Sequence, residues 1–306
     1  MNLRDQRTRT AWLLLAPMLL ALAVVVVWPL LRSFWFGLTD AALDEPEVAR
    51  FVGLENFFGP YGLFFNPNYV DGFWESEWGI SIRNTLWFAL ISVSLETLLG
   101  LALALLLNQE FAGRRWVRTA VLVPWAIPTV VSAQMWSWML HDQFGVVNHY
   151  LIQLGILTER LAWTADPNLA LWSVIAVDVW KTTPFMALLI LAALQTLPKD
   201  IYEAARLEGA TAWTTFRQIT LPLIWGPLIV AVIFRMLDAL RVFDLIYIMT
   251  SNSTATMSMS GFVRREMVEN GNLGFSAAAS TVLFFMLFGA AYLLIRLTRF
   301  KLVEAR

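Results

Sequence analysis

Six charged residues sit inside stretches that are otherwise apolar. Asp178 and Lys181 stand three apart in one stretch. Arg235, Asp238, Arg241 and Asp244 follow in steps of three, with alternating sign, in another. On a helix this spacing puts side chains on one face, so each can pair with its neighbour. Charges in apolar surroundings are costly unless they pair or face a polar space. Two chemistries fit: an ion-pair network that locks two helices, and a polar wall with spare acceptors for the hydroxyls of a passing solute. The two are compatible. A proton relay fits less well, because every carboxylate has a cation nearby. Trp125, Gln134, Trp136, Trp180 and Thr182 extend the candidate path. An indole face can stack on the C–H face of a pyranose; lipid contact or core packing explains the same tryptophans.

Other chemistry finds little support. The chain has no cysteine, which excludes disulfides, thiolate metal sites and a cysteine nucleophile. His141 and His149 read as solvated loop residues rather than a metal pair. No Gly-x-x-x-x-Gly-Lys-Ser/Thr loop and no His-Glu-x-x-His occurs. The chain is therefore expected to be no enzyme, and to bind neither cofactor nor metal itself. Uphill transport would need energy from a partner or an ion gradient.

A second stretch, residues 198–222, is polar and lies between two long apolar segments. Asp200 can cap a helix, with Glu203 three residues on reaching back to it. Gly209 suits a helix stop. Thr211 can cap a second helix running to about Gln218, and Pro222 is expected to separate that helix from the next apolar segment. Ala204 and Ala205 are small, so another surface can approach closely. An ordinary amphipathic loop has the same features.

The elements that position these residues are membrane helices. The 306 residues are 58% apolar and 15% charged, with a net charge of −1 and a mean hydropathy of +0.61. A soluble domain is nearer half apolar and a quarter charged. The balanced charge gives no reason to expect nucleic acid. Six apolar runs long enough to span a bilayer fall at about 11–36, 84–107, 119–140, 168–196, 223–249 and 274–297. The fold class is thus an all-α membrane protein with six transmembrane helices, Asn84 being a candidate cap of the second. The first run is too long, and lacks the small-residue site, for a cleaved signal.

Positive residues orient the chain. Arg4, Arg7 and Arg9 precede the first run, and Arg114, Arg115 and Arg118 follow the second. Lys199, Arg206 and Arg217 lie in the 198–222 loop, and Arg296, Arg299, Lys301 and Arg306 follow the last run. The opposite side has Arg32, Arg50, Arg83, Arg160, Arg264 and Arg265, spread over longer loops. Both termini and the 198–222 loop are therefore expected in the cytoplasm. Fifth and fourth runs then cross in opposite senses, so the charged clusters at 235–244 and 178–181 can meet at similar depth. The first outer loop, about 37–83, is acidic and aromatic-rich. It reads as a solvated loop or as a docking surface for an extracytoplasmic partner. The expected division is an N-terminal helix and acidic loop (1–83), a core (84–298) with cytoplasmic helices at about 199–218, and a tail (299–306).

Glu203-Ala204-Ala205, Gly209 and Ile219-x-Leu221-Pro222 together resemble the cytoplasmic signature of permease subunits of bacterial ATP-binding cassette (ABC) importers, without departure in spacing. Arg83-Asn84-Thr85-Leu86, the run from Arg118 to Pro128, Trp180-Lys181-Thr182-Thr183-Pro184, and Arg235 to Asp244 extend the likeness to carbohydrate permeases of the maltose and trehalose type. So does the stretch from Phe51 to Phe57, which argues for an ordered loop. The resemblance implies the importer-type permease fold in the bacterial inner membrane. It implies that Glu203, Ala204, Ala205, Gly209, Ile219, Leu221 and Pro222 couple to an ATPase. It also implies the partners: a second similar permease, two ATP-binding subunits that use ATP and Mg²⁺, an extracytoplasmic sugar-binding protein, and surrounding lipid. An ion-coupled secondary carrier, or an ABC permease for glycerol phosphate, are the competing readings. The carrier commonly shows paired repeats, and none is visible.

Overall fold

The computed structural model describes residues 3–65 and 72–297, with side chains from residue 8 to 296. The tail at 299–306, Asp71, and the side chains of Arg4 and Arg7 lie outside the described residues. The described residues are mostly helical and contain no strand beyond an isolated bridge between Thr39 and Phe51. Among the described residues five helices are long and apolar enough to cross a membrane, and a bent pair makes a sixth candidate.

One unit comprises residues 1–73 and 262–285. Its first helix, α1 (Thr8–Phe36), exposes almost all of its apolar surface. The following loop is ordered by specific contacts. The Asn56 side-chain amide donates to the carbonyls of Gly37 and Thr39 at 3.0 and 2.8 Å. Gly274 N–H donates to Ala41 O at 2.8 Å. Phe57 and Leu63 are buried within it. Phe34 stacks on Phe285 at 5.8 Å. The expectation of an ordered loop holds for its described part.

The other unit comprises residues 74–261 and 286–306. In order it contains α2 (Glu77–Asn108), α3 (Arg114–Ala126), α4 (Thr129–Met139), α5 (Val146–Gln153), α6 (Ala170–Gln195), α7 (Lys199–Leu207), α8 (Ala212–Ala239) and α9 (Asp244–Thr250). The last helix, α10 (Leu273–Leu297), ends in it. Helices α2 and α6 pack most extensively. They approach closely at Gly100, where an added Cβ would lie 2.9 Å from Met186 Cβ and 3.1 Å from Ala187 N. Only a residue without a side chain fits there. Phe88, Val93, Val174, Val177 and Ile246 form a core on one side of this crossing; Leu107, Ile190, Leu194 and Ile224 form another.

Four sequence expectations need correction. Asn84 does not cap α2, because Ser76, eight residues earlier, does: its hydroxyl accepts from Gly79 N–H at 3.0 Å. Asn84 instead lies inside the helix and holds the 254–257 turn, donating to Ala255 O at 3.1 Å and Met257 O at 3.2 Å. The third run is not one helix. Pro128 lacks an N–H and forces Ile127 out of helical geometry (ψ 131°), so α3 and α4 meet at 88°. The fifth run stops at Ala239 rather than Met249. Leu240 to Phe243 form a turn, and the hydroxyls of Ser258 and Ser260 donate to the freed carbonyls of Val242 and Arg241 at 2.7 and 3.4 Å. The even three-residue stepping of charges therefore ends at Asp238. Last, Pro222 does not separate two helices. A π turn over Phe216–Thr220 lets Leu221 N–H reach Phe216 O, Pro222 lies just past this widened turn, and α8 runs unbroken from Ala212 to Ala239.

Candidate functional site

The first site grows from Arg235 on α8. Its guanidinium is 3% exposed and gathers acids from three helices. It donates to both oxygens of Glu96 on α2, at 2.6 and 2.9 Å. It pairs with Asp178 on α6 and, one turn along α8, with Asp238 at 2.8 Å. Thr182 completes the shell at 3.4 Å and donates to its own helix at Asp178 O, 2.7 Å. This meets the rule that buried charges are paired and hydrogen-bonded. The expected meeting of the 178 and 235 clusters is found. The role of Glu96 was missed, although a lone carboxylate in a long apolar run is itself a signal.

Lys181 does not pair with Asp178. Its ammonium turns to the helix break and donates to Ile127 O at 3.1 Å, satisfying a carbonyl that the α3–α4 bend exposes. Arg241 and Asp244 are exposed, in the turn after α8 and at the start of α9, and form no ion pair among the described residues. They are not in the buried network.

A half-open cavity of about 280 Å³ adjoins this cluster. Seven of the ten candidate path residues line it: Trp125, Thr182, Asp178, Lys181, Asp238, Arg241 and Asp244. Thr129 adds a hydroxyl that the sequence did not flag. Trp125 stands on Phe185, ring centroids 5.4 Å apart and nearly parallel. The other three candidates are elsewhere. Trp136 packs edge-on against Trp180 at 5.4 Å and joins the core, Trp180 borders an apolar groove, and Gln134 is exposed away from the cavity.

The second site is α7 with its flanks. Pro198 precedes the helix and no side chain caps it, so the expected Asp200–Glu203 capping box is absent. Asp200 still lies in the first turn, where the helix dipole favours an acid. Gly209 ends the helix as expected, at φ +76°. Its N–H donates to Arg206 O at 3.0 Å, and Ala210 N–H donates to Ala205 O at 2.9 Å. Thr211 caps α8 as expected, accepting from Thr214 N–H at 3.2 Å. The two alanines part company: Ala204 faces out, while Ala205 is buried against its own chain. A partner can approach over Glu203, Ala204 and Leu207, the last 91% exposed, with Trp213 beside the cap at 68%. Ile219 and Leu221 are half-buried and Pro222 is exposed.

Two contacts tie α7 down. Tyr202 Oη meets Thr220 Oγ1 at 3.3 Å, in the π turn of α8. Lys199 Nζ donates to Glu110 Oε1 at 2.9 Å, beyond the end of α2. That hydrogen bond and charge hold the Glu110 carboxyl below its usual range and raise the Lys199 ammonium.

Comparison with known proteins identifies the class. Residues 96–298 match the family described as the binding-protein-dependent transport system inner membrane component. The trehalose/maltose transport system permease protein MalF of Thermococcus litoralis is 37% identical over 304 residues, 98% of this chain and 97% of that protein. The sulfoquinovosyl glycerol transport system permease protein SmoG of Agrobacterium fabrum is 36% identical, over 95% of this chain and 91% of its own. A solved bacterial ABC transporter involved in import of the acidic polysaccharide alginate has the same fold, with a TM-score of 0.79 at 20% identity and 97% of both chains covered. The chain belongs to the binding-protein-dependent transport inner membrane component family, the multi-pass permease subunits of ABC importers.

Proposed function

We propose that this chain is one of two similar permeases in an ATP-driven sugar importer, that α7 seats in an ATPase subunit, and that the cavity beside Arg235 is part of the sugar path. The assembly includes two copies of the ATPase, which hold ATP and Mg²⁺, and an extracytoplasmic sugar-binding protein. Lipid surrounds it, and nucleic acid has no part. Residues 1–83 supply the first helix and outer loop, 84–298 the permease core, and 299–306 a cytoplasmic tail. Both termini and α7 lie in the cytoplasm, a reading supported by the concentration of Arg and Lys beside those segments. The family and the name of the trehalose/maltose relative support a sugar, with an α-linked disaccharide foremost.

One observation carries the coupling. Helix α8 runs unbroken from its Thr211 cap, beside α7, to Arg235 and Asp238 at the cavity. At 1.5 Å per residue that is roughly 35 Å from Ala212 to Arg235. With Tyr202 fixing α7 to α8, a push on α7 reaches the cavity through one rigid element. ATP binding closes the ATPase dimer, α7 and α8 move as a lever, and the cavity changes side.

The test is Gly209→Val in the reconstituted importer. No atom would clash with its Cβ, so the damage comes from the positive φ alone, which costs a β-branched residue at least about 1–2 kcal/mol. Sugar uptake is expected to be lost while sugar no longer stimulates ATP hydrolysis. Normal uptake would overturn the lever. The same vesicles treated with an ionophore separate this reading from an ion-coupled carrier: ATP-driven uptake survives collapse of the gradient.

A further inference from the structure

The apolar groove beside Trp180 has a charged mouth. Leu99, Leu103 and Leu106 of α2, Val121 of α3, and Trp180 and Pro184 of α6 line it, and its volume is about 490 Å³. Leu99 and Leu106 are about half exposed, so the groove opens to the outside of the described chain. Its α2 wall ends at Leu106. One residue on, the Leu107 carbonyl lies in the last turn of α2, where no helical N–H follows to meet it. Two arginines of α3 meet it instead: Arg114 Nε donates at 2.8 Å and Arg118 Nη2 at 3.0 Å. Arg118 also stands one turn before Val121, on the same face of α3. Guanidiniums and groove are therefore contiguous.

These guanidiniums have donors to spare. Each carries five N–H groups. Leu107 O takes one from each, and Arg118 Nε is buried without a partner. Among the described residues neither forms an ion pair, and nor does Arg115, which lies over Trp116 at 5.6 Å. Glu110, the nearest acid in sequence, is held by Lys199 at 2.9 Å. The first turn of α3 has no acid and no side-chain cap, so the positive end of the helix dipole adds to the arginines. Trp116 is 72% exposed beside them. Tryptophan and arginine together at the end of an apolar helix mark the headgroup level. From there the α2 wall runs roughly 10 Å deeper, from Leu106 back to Leu99.

We propose that this groove is a lipid site. It takes an anionic phospholipid of the cytoplasmic leaflet, with the phosphate on Arg114 and Arg118 and an acyl chain against Leu99, Leu103 and Leu106. Basic pockets between membrane helices on the cytoplasmic side suit such headgroups. A lipid answers both parts of the site at once, since it brings an apolar chain and an anionic head. The inference rests on the reading that α3 starts at the cytoplasmic face, and it goes beyond the sugar path. That path uses Asp178, Lys181 and Thr182 of α6, whereas the groove uses Val179, Trp180 and Thr183.

The experiment is native mass spectrometry of the delipidated permease–ATPase assembly in detergent. The probes are phosphatidylglycerol, phosphatidylcholine with the same chains, and glycerophosphoglycerol, the first lipid's head without chains. One to two arginines at about fivefold each should make phosphatidylglycerol bind about 5–25-fold more tightly than phosphatidylcholine. The chain-free head is expected not to bind. Arg114→Gln with Arg118→Gln keeps N–H donors for Leu107 O and is expected to bring the two lipids within about twofold of each other. Ala102→Trp, at an exposed position in the groove, is expected to weaken both lipids alike. Equal binding of the two lipids to the native assembly would overturn the proposal. So would an unchanged preference in the arginine variant, unchanged binding in Ala102→Trp, or a chain-free head that binds as well as the lipid. Ala102→Cys, in a chain without cysteine, reads whether the second permease covers the groove instead. Reaction with a lipid-soluble maleimide in the folded assembly supports the lipid; reaction only after unfolding in SDS means that protein fills the groove, and the proposal falls. Failure on any of these counts leaves the sugar-importer reading in place, because that reading is tested by uptake in Gly209→Val.

Discussion

Replacing Arg235 with Met tests whether the cluster holds three helices together. Glu96 and Asp178 come from α2 and α6, and they are 0% and 7% exposed. Without the guanidinium both are left buried and unpaired. Breaking a buried ion pair from one side costs about 3–5 kcal/mol. For a chain of this size that corresponds to roughly 6–20 °C in apparent Tm, at about 2–4 °C per kcal/mol. The contrast is Asp238→Asn. Asp238 pairs with the same Arg235, but its side chain is 77% exposed, and such pairs contribute about 0–1 kcal/mol. A third variant, Glu96→Gln with Asp178→Asn and Arg235→Met, removes the three buried charges of this cluster and should recover most of the loss. The assay is thermal unfolding of the purified assembly in nanodiscs, followed by the fraction that remains monodisperse. If Arg235→Met costs no more than Asp238→Asn, or the neutral triple variant is no better than Arg235→Met, the cluster is not the lock described here.

Asn84→Ala leaves the carbonyls of Ala255 and Met257 without their donor and should destabilise by about 1–3 kcal/mol, with Asn84→Asp no better, because it cannot donate; an unchanged Tm would contradict this. Gly100→Val forces α2 and α6 apart at Met186 and should abolish assembly in the membrane, whereas Gly226→Ala, where nothing lies within 4 Å, should be silent. The Glu110–Lys199 contact has a defined pH window. Glu110 is depressed, so its contribution is present above the ordinary carboxylate range and lost as pH falls through the lowered value; Lys199 is raised, so its contribution is lost only as pH climbs past the raised value. Spin labels at Gln109 and Glu203 should keep one distance between about pH 6 and 9 and broaden in strong acid. A distribution that ignores acid would exclude the pairing.

Much of this was legible in sequence because a bilayer leaves few options. Apolar runs of about twenty residues must be helices, and the end of α1 and both limits of α6 and α10 fall within a few residues of the hydropathy limits. The Gly209 stop and the Thr211 cap were also readable, since each follows from one residue's own chemistry. What hydropathy could not show is where an apolar run bends. Ile127-Pro128 sits in a continuous apolar stretch, and the turn after Ala239 has neither Gly nor Pro; it stands because Ser258 and Ser260, some eighteen residues on, supply donors. The cavity was half legible for the same reason. Spacing placed Asp178 and Arg235 on facing helices, but the turning of Lys181 toward Ile127 and the reach of Glu96 from α2 are tertiary facts. Trp136 and Trp180 carried the same compositional signal as Trp125 and turned out to pack on each other.

The account depends on α7 being the cytoplasmic seat of an ATPase. The chain has no cysteine, so a single Leu207→Cys gives a background-free probe at a highly exposed point of that helix. The measurement is labelling by a membrane-impermeant maleimide in oriented vesicles of the assembled importer. Labelling is predicted only in inside-out vesicles, and only after the ATPase is stripped away. Labelling in right-side-out vesicles, or equal labelling with the ATPase present and absent, would contradict it.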